Sequence, residues 1–536
     1  LPSSRLTLTR LRESLARPTD ALPLDIFRVL AGALVFAYFL RTFIEAGDFS
    51  STDGLIDHAL SRDIFWFTRL GLFQSGMSLA AFQTIFLIAC LCSWALILGY
   101  RVKLFAALLY VIAVSTYRWN FLVMYVDDAI IHLTLFWLLL LPVGRTLILG
   151  EWLKERGGAW RRWKRETVPG AATRCFLWNL ALIYLVAGLW KWTSPMWREG
   201  TALYAVFKMP ISYAPDFWGP EHFYLIKVLN YCALVLEPLI PLIFILPNGH
   251  RAKYWLLLGL LGFHLGAVAT LRIPFANLAC LAAMIIPFGG ELMDRLRKKE
   301  RLAPQRPPPS QTSRDPSRIG LSGALALVFV TVLTLAMLTS VVLPRWRAPS
   351  RRSSILASMG GRAPGVHLAD ETSDACCDES AQEAVEGLGP VQKAFFSFLW
   401  SVGIAQQYQL FNWIDERNYS VRYEAAEYEG DKETRTLDAD TIFLPSTRGS
   451  ILQCYLHGVT WMQVPRRRQT ELRRSLFTRQ ARKVCQRLQP RGDVAVYATL
   501  ERIVPGNNPG AESRALLMRF SCQDGQARMQ AMNLDP

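Results

Sequence analysis

The chain has 536 residues, 51% of them hydrophobic and 12% aromatic, with a formal net charge of +16. A mean hydropathy of +0.20, with the apolar residues gathered into long runs, excludes an ordinary soluble protein and points to a polytopic membrane protein. The positive charge lies in short stretches between those runs, so it is topological and does not point to nucleic-acid binding.

Residues 1–24 read as a basic cytoplasmic arm carrying Arg5, Arg10, Arg12 and Arg17 and broken by Pro18 and Pro23. Apolar runs follow at 26–44, 78–99, 104–118, 124–143, 174–192, 223–246, 255–272, 274–289 and 320–343. Read against the roughly 20 residues a helix needs to cross hydrocarbon, these give about nine spans. Between the first two, Ile64-Phe-Trp-Phe-Thr-Arg-Leu-Gly-Leu-Phe is too short to span and reads as interfacial or re-entrant. The aromatic stretch 193–222 is expected to lie at the interface too.

Basic residues cluster at Arg101 and Lys103, at Lys154, Arg156, Arg161, Arg162, Lys164 and Arg165, at His250, Arg251 and Lys253, and at Arg295, Arg297, Lys298, Lys299 and Arg301. If the spans alternate, these clusters share one face, and the positive-inside rule makes that face cytoplasmic. The expectation is a multi-pass protein of the inner (plasma) membrane, N-terminus inside and C-terminal region external or periplasmic. No cleavable signal peptide is visible, because the first apolar run follows a polar arm and lacks a small-residue cleavage pattern.

The organisation expected is a transmembrane domain at 25–290, a basic, Pro-rich cytoplasmic linker at 291–319 and an additional transmembrane helix at 320–343. A flexible external linker at 344–390 and an external α+β domain at 391–536 complete it. In that last domain Phe395–Trp400 and Gln406–Trp413 look like an interfacial helix and turn. Tyr419-Ser-Val-Arg-Tyr-Glu-Ala and the run from Asp493 to Ile503 alternate as strands do, and Arg466–Arg487 reads as an amphipathic helix. The fold class is thus an all-α polytopic membrane domain plus a smaller external α+β domain. Cys90, Cys92, Cys175, Cys232 and Cys280 fall in apolar runs; Cys376, Cys377, Cys454, Cys485 and Cys522 fall in the external region, where disulfides are permitted.

Lys191 stands at the end of Tyr184-Leu-Val-Ala-Gly-Leu-Trp-Lys-Trp, before Trp197-Arg-Glu199-Gly200. A lysine there either snorkels to the interface, framed by Trp190 and Trp192, or loses its charge by desolvation and becomes a base or nucleophile. His264 falls near mid-span, where a helix–helix hydrogen bond is the structural alternative to a catalytic role. Asp127 and Asp128 open the fourth run; Asp128 and His132, at i and i+4, share a helix face, and Asn120 lies just before it. Glu237, before Pro238, reads as a capping or kink partner, and Arg28 and Arg41 as partners of such acids or as anchors. No metal-ligand spacing, Gly-rich phosphate loop or Gly-x-Ser-x-Gly elbow is present.

Five ordered stretches resemble the vitamin K-dependent γ-glutamyl carboxylases and their bacterial HTTM-domain relatives. They are Asp25-Ile-Phe-Arg28-Val-Leu-Ala-Gly32, Leu98-Gly-Tyr-Arg101, Trp119-Asn120 with Tyr125, Tyr184–Gly200 and Phe263-His264-Leu. The resemblance implies a carboxylase-like helical domain in which Lys191 deprotonates a reduced quinone of the vitamin K type and His264 assists around it. Oxygen then turns the quinone into a strong base that takes a γ-proton from a glutamate, and the carbanion adds CO2. Asn120, Asp127, Asp128, His132, Trp190, Trp192 and Glu199 would complete a lipid-accessible pocket, and the substrate would be an exported polypeptide, with membrane lipids as the other partners and neither metal nor nucleic acid. The chain departs from that pattern at Phe121, where the carboxylases have a histidine, and at Trp190-Lys191, where they have tandem lysines. Two other readings stand beside it. One is a quinone-linked thiol oxidoreductase using Cys376 and Cys377; the other is a non-catalytic lipid-binding or assembly scaffold, in which arginine would serve as well as Lys191.

Overall fold

Backbone polar groups in an apolar run can reach no water in hydrocarbon and must bond one another, so such runs become helices. The structure, a computed structural model, describes residues 13–64, 66–155, 157–300, 319–347, 398, 419–437, 446–456, 466–502 and 513–533. In chain order its principal helices are α1 (Ala21–Ile44), α2 (Leu79–Leu98), α3 (Val102–Trp119), α4 (Val126–Leu140), α5 (Leu149–Glu155) and α6 (Gly157–Trp163). Then come α7 (Ala171–Thr193), α8 (Pro195–Glu199), α9 (Ala202–Lys208), α10 (Phe223–Leu239), α11 (Arg251–Thr270), α12 (Pro274–Ala283), α13 (Gly289–Glu300) and α14 (Leu321–Arg347).

Among the described residues, 6 helices are long and apolar enough to cross a membrane: α1, α2, α3, α7, α11 and the run Pro220–Ile245 that contains α10. The apolar runs at 124–143 and 274–289 give only α4 and α12, which are 15 and 10 residues long. The first helix starts at Ala21, earlier than Pro23 suggests. Pro23 sits in the first turn, where its missing N–H has no intrahelical partner to lose.

One end of the bundle is tied by a buried pair. Asp25 accepts from the amides of Gly144 (2.6 Å), Arg145 (2.9 Å) and Thr146 (2.6 Å), from Thr146 Oγ1 (2.8 Å) and from Arg28 Nε (2.8 Å). Arg28 donates to the Leu96, Ile97, Thr146 and Leu147 carbonyls, the first two belonging to the last turn of α2, where intrahelical donors have run out. Arg41, expected as a partner or anchor, pairs with Glu45 at 2.9 Å. At the same end β1 (Thr19–Asp20) pairs antiparallel with β2 (Thr167–Val168), joining the N-terminal arm to the approach to α7.

The C-terminal region is a five-stranded antiparallel sheet, order β4-β3-β5-β6-β7, with β3 Tyr419–Glu429, β4 Lys432–Leu437, β5 Asp493–Arg502, β6 Ser513–Gln523 and β7 Gln526–Met532. The two strands read from the sequence are neighbours here, in the register Tyr419↔Arg502 to Tyr428↔Asp493. Two helices accompany the sheet, α15 (Thr447–Leu456) and α16 (Arg466–Leu488). The apolar side of α16, with Leu472, Leu476, Phe477, Ala481 and Val484, is buried in one cluster with Val494, Val496, Met518 and Phe520 of the sheet. A disulfide joins Cys485 of α16 to Cys522 of β6. Phe395–Trp400 and Gln406–Trp413 (apart from Phe398), like Cys376 and Cys377, lie outside the described residues.

The cationic side of α16 docks on the segment between α1 and α2. Arg479 donates to the Thr52 and Gly54 carbonyls (2.7 and 3.0 Å), Arg487 meets Asp48 at 2.7 Å, and Ser475 Oγ donates to Asp57 at 2.7 Å. Beneath this docking surface His58 stacks on Trp119 with ring centroids 4.2 Å apart. Its Nδ1 lies 3.0 Å from the Trp119 carbonyl, which can only accept, so Nδ1 carries the proton.

Burial pushes the His58 imidazole down to about 4, against attraction from its Trp119 bond and from Asp57, and Arg479 pushes the same way as burial. The folded state therefore keeps His58 neutral while an unfolded chain would protonate it near its ordinary value of 6.5. The stabilisation is complete above that value and lost as pH falls through 6.5 toward 4, by at most on the order of 3 kcal/mol. The protection of residues 45–64 against hydrogen exchange, taken relative to the intrinsic rate at each pH, should fall between pH 7.5 and pH 5, and the His58→Phe variant, which cannot titrate, should show a flatter profile.

Candidate functional site

Pro238 lies inside α10 and brings no N–H to the carbonyl of Leu234, four residues back. The indole Nε1–H of Trp192 donates to that carbonyl at 3.1 Å, fastening the end of α7 to α10. Gly188 permits the approach: a Cβ there would stand 2.8 Å from Cδ of the Pro238 ring. With the two backbones so close, Lys191 meets Glu237, Nζ to Oε2 at 2.6 Å, and each residue is 3% exposed.

The chain then covers this pair. Ser194, in extended conformation before Pro195, stops α7 and accepts from the Trp197 amide to cap α8. Trp197 comes over the lysine, with Nζ 5.1 Å from its ring centroid. Asn230 of α10 holds the cover, donating to the Trp197 carbonyl (2.8 Å) and accepting from the Leu203 amide (3.1 Å). Glu237 is 14 residues beyond Phe223, the start of α10. At helical rise that places the pair about 21 Å along the helix. Lys191 is therefore enclosed and paired with an acid, and its side chain does not reach the surface as a snorkelling anchor would. The sequence signal for its partner was an acid beside a proline in an apolar run.

Two turns before Lys191 on α7, Tyr184 Oη lies 2.7 Å from His264 Nε2. His264 Nδ1 lies 2.8 Å from Asn277 Oδ1, while the Asn277 amide nitrogen donates to the Ile273 carbonyl at 2.7 Å. That orientation makes Asn277 Oδ1 an acceptor, so the Nδ1 of His264 donates and its Nε2 receives the tyrosine hydroxyl proton. Both ring nitrogens are thus engaged. Beside Asn277, the Ala276 amide at the start of α12 donates to Asp127 Oδ1 at 2.7 Å, so Asp127 caps that helix.

The remaining sequence-nominated residues divide. Asp128 accepts from Tyr38 Oη (2.5 Å), from the Tyr125 amide (3.1 Å) and from Arg448 of α15 (3.3 Å), which joins the sheet region to the bundle in a buried place. Asn120 donates to Ser50 Oγ at 3.2 Å. His132, one turn further along α4 from Asp128, is wholly buried and meets Tyr117 edge-on, with ring centroids 5.2 Å apart. Trp190 is half-buried against the main core, Trp192 exposes its ring while its N–H is bound, and Glu199 is exposed. Lys191 and Trp192 form one site with Glu237 and Trp197; His264 and Asp127 meet through α12; the others serve different places.

Between α1, α4, α7 and α12 lies an apolar cavity of about 20 Å³ lined by Phe27, Trp137, Ile183 and Cys280 among others. It has room for one small molecule and not for an aromatic ring system. Among the described residues no group of three or more His, Cys, Asp or Glu stands close enough to hold a metal ion. In comparisons with protein-family models, curated proteins and solved structures, nothing matches this chain.

The Gly188–Pro238 approach sets this geometry. Gly188→Ala should force the helices apart and lower stability by about 1–3 kcal/mol, read as a lower thermal midpoint in detergent or nanodiscs. Leu189→Ala, at a side chain 37% exposed, should leave the midpoint nearly unchanged.

Proposed function

We propose that this chain is a multi-pass membrane protein of the HTTM, carboxylase-like kind in which the Lys191–Glu237 pair is the proton-accepting centre. The observation that carries the reading is the enclosure of that pair: a lysine and a glutamate, each 3% exposed, share one contact of 2.6 Å under a tryptophan. A free ammonium is no base. As a base the lysine would hand its proton to Glu237, the carboxylate that its Nζ contacts. The pair then accepts a proton from a hydroxyl placed against it.

The donor set suits the hydroxyl of a reduced quinone, which when bound would supply the oxygen-driven chemistry that the resemblance implies. Lys191 and Glu237 would take its proton, Trp197 would exclude water, and the cover formed by α8 and α9 would have to shift to admit a ring. His264, with both nitrogens engaged, would act by positioning Tyr184 two turns from the lysine. The reading further proposes an inner-membrane location with the N-terminus cytoplasmic, and an exported polypeptide presented by the C-terminal region as substrate.

A scaffold reading is favoured by a different observation: Lys191, Asp127 and Asp128 each already have a protein partner. Arginine at 191 no longer separates the two, since a bulkier guanidinium would disturb the enclosed pair under either. A paired substitution does. Lys191→Met alone should cost about 3–5 kcal/mol by stranding the glutamate, while Lys191→Met with Glu237→Leu should recover most of it. Protein in nanodiscs would be given a reduced naphthoquinone, oxygen, labelled bicarbonate and a glutamate-rich peptide. The proposal expects label incorporation and quinone epoxide from the wild type and neither from the refolded double variant. Equal turnover in that variant, or none in the wild type, overturns it.

A further inference from the structure

We infer that residues 149–163 are a membrane-surface anchor that binds the anionic phospholipid headgroups of the leaflet at the basic end of the bundle. The inference rests on the membrane reading of the long helices. On α5, Leu149, Trp152 and Leu153 stand at i, i+3 and i+4 and so share one face. They are 40%, 50% and 61% exposed, and no residue of this helix is buried. The following helix turns the other way: Ala159 and Trp163 of α6 are buried, and Trp160 is 38% exposed. An amphipathic helix normally lays its apolar face on its own core; this one presents it outward.

The outward face is built. Glu151 accepts from Arg162 (2.5 Å) and from the Trp163 indole (3.0 Å), and Glu155 accepts from Arg162 (3.3 Å), locking the two helices together. Both acids are thereby engaged within the hairpin, while Lys154 and Arg161 are exposed and Lys164 lies 4.7 Å over the Trp160 ring. The charge offered to the surroundings is positive. Tryptophan and leucine beside lysine and arginine is the composition of a helix lying in a headgroup layer.

Its level in the molecule points to the bilayer and not to a soluble partner. Gly99, in left-handed conformation with φ of 78°, ends α2, and a Cβ there would stand 3.3 Å from Cα of Ile148. The hairpin therefore starts where a membrane-length helix stops. Leu98, Tyr100 and Leu104, 37%, 58% and 49% exposed, stand at the same turn. The apolar face of α5 begins at the level where the exposed apolar surface of the long helices ends.

The test is hydrogen exchange on the full-length protein in nanodiscs of phosphatidylcholine alone or mixed with phosphatidylglycerol. Exchange in 149–163 should be slower with phosphatidylglycerol, by about fivefold for each cationic side chain engaged. Lys154→Gln with Arg161→Gln should return it to the phosphatidylcholine rate, and Trp152→Ser with Leu153→Ser should speed it in both lipids. Equal rates in the two lipids, indifferent to these substitutions while 79–98 stays protected, overturn the anchor alone. Rapid exchange of 79–98 itself would overturn the membrane reading together with the anchor.

Discussion

A proline within an apolar helix leaves one carbonyl without a donor, and in this chain the donor comes from another helix. The Trp192 indole fills the place left at Leu234 by Pro238, and Gly188 lets the two backbones close. Everything distinctive about the centre of the molecule depends on that crossing. It brings Lys191 to Glu237, sets Tyr184 two turns away opposite His264, and leaves the following chain to fold back as the cover carrying Trp197.

The same economy of buried polar groups recurs elsewhere. Asp25 and Arg28 absorb the unpaired amides and carbonyls where helices end, and Lys103 of α3 does so for the last turn of α4 through the Leu138, Leu139 and Leu141 carbonyls. Lys253 does it for Pro287 while pairing with Glu291. Arg448 inserts from the sheet region beside Asp128 and Tyr38. Charges inside the structure therefore act as fasteners between segments far apart in sequence, each bearing the desolvation cost that only a good partner offsets. The Lys191–Glu237 pair also sits in the last turns of α7 and α10, but its contact runs from side chain to side chain and joins the two helices directly.

Much of the architecture was legible because it follows from local pattern. Apolar runs of helical length marked the long helices, alternation marked Tyr419–Glu429 and Asp493–Arg502, and arginines around Leu472, Leu476 and Val484 marked α16. Spacing was less informative where helices are short: the runs opening at Val126 and Pro274 gave helices too brief to count as spans. The site was legible by residue type and not by partnership. Lys191 and His264 stood out as costly groups, yet Glu237, Asn277 and Trp197 acquire meaning only when α7, α10, α11 and α12 are set side by side. Asp127 and Asp128, adjacent in sequence and similar in chemistry, diverge because one faces the start of α12 and the other faces Tyr38 and Arg448.

Taken alone, the sequence determined that long apolar helices dominate the chain, that its basic residues sit between them, and that a lysine ends one of them at an energetic cost. These follow from composition and periodicity, which each residue carries whatever its neighbours in space. Tertiary structure decided whether that lysine would be exposed or enclosed and which acid would answer it. The deciding contacts join residues tens of positions apart, and their existence turns on an ångström-scale approach between Gly188 and Pro238 that no local pattern encodes.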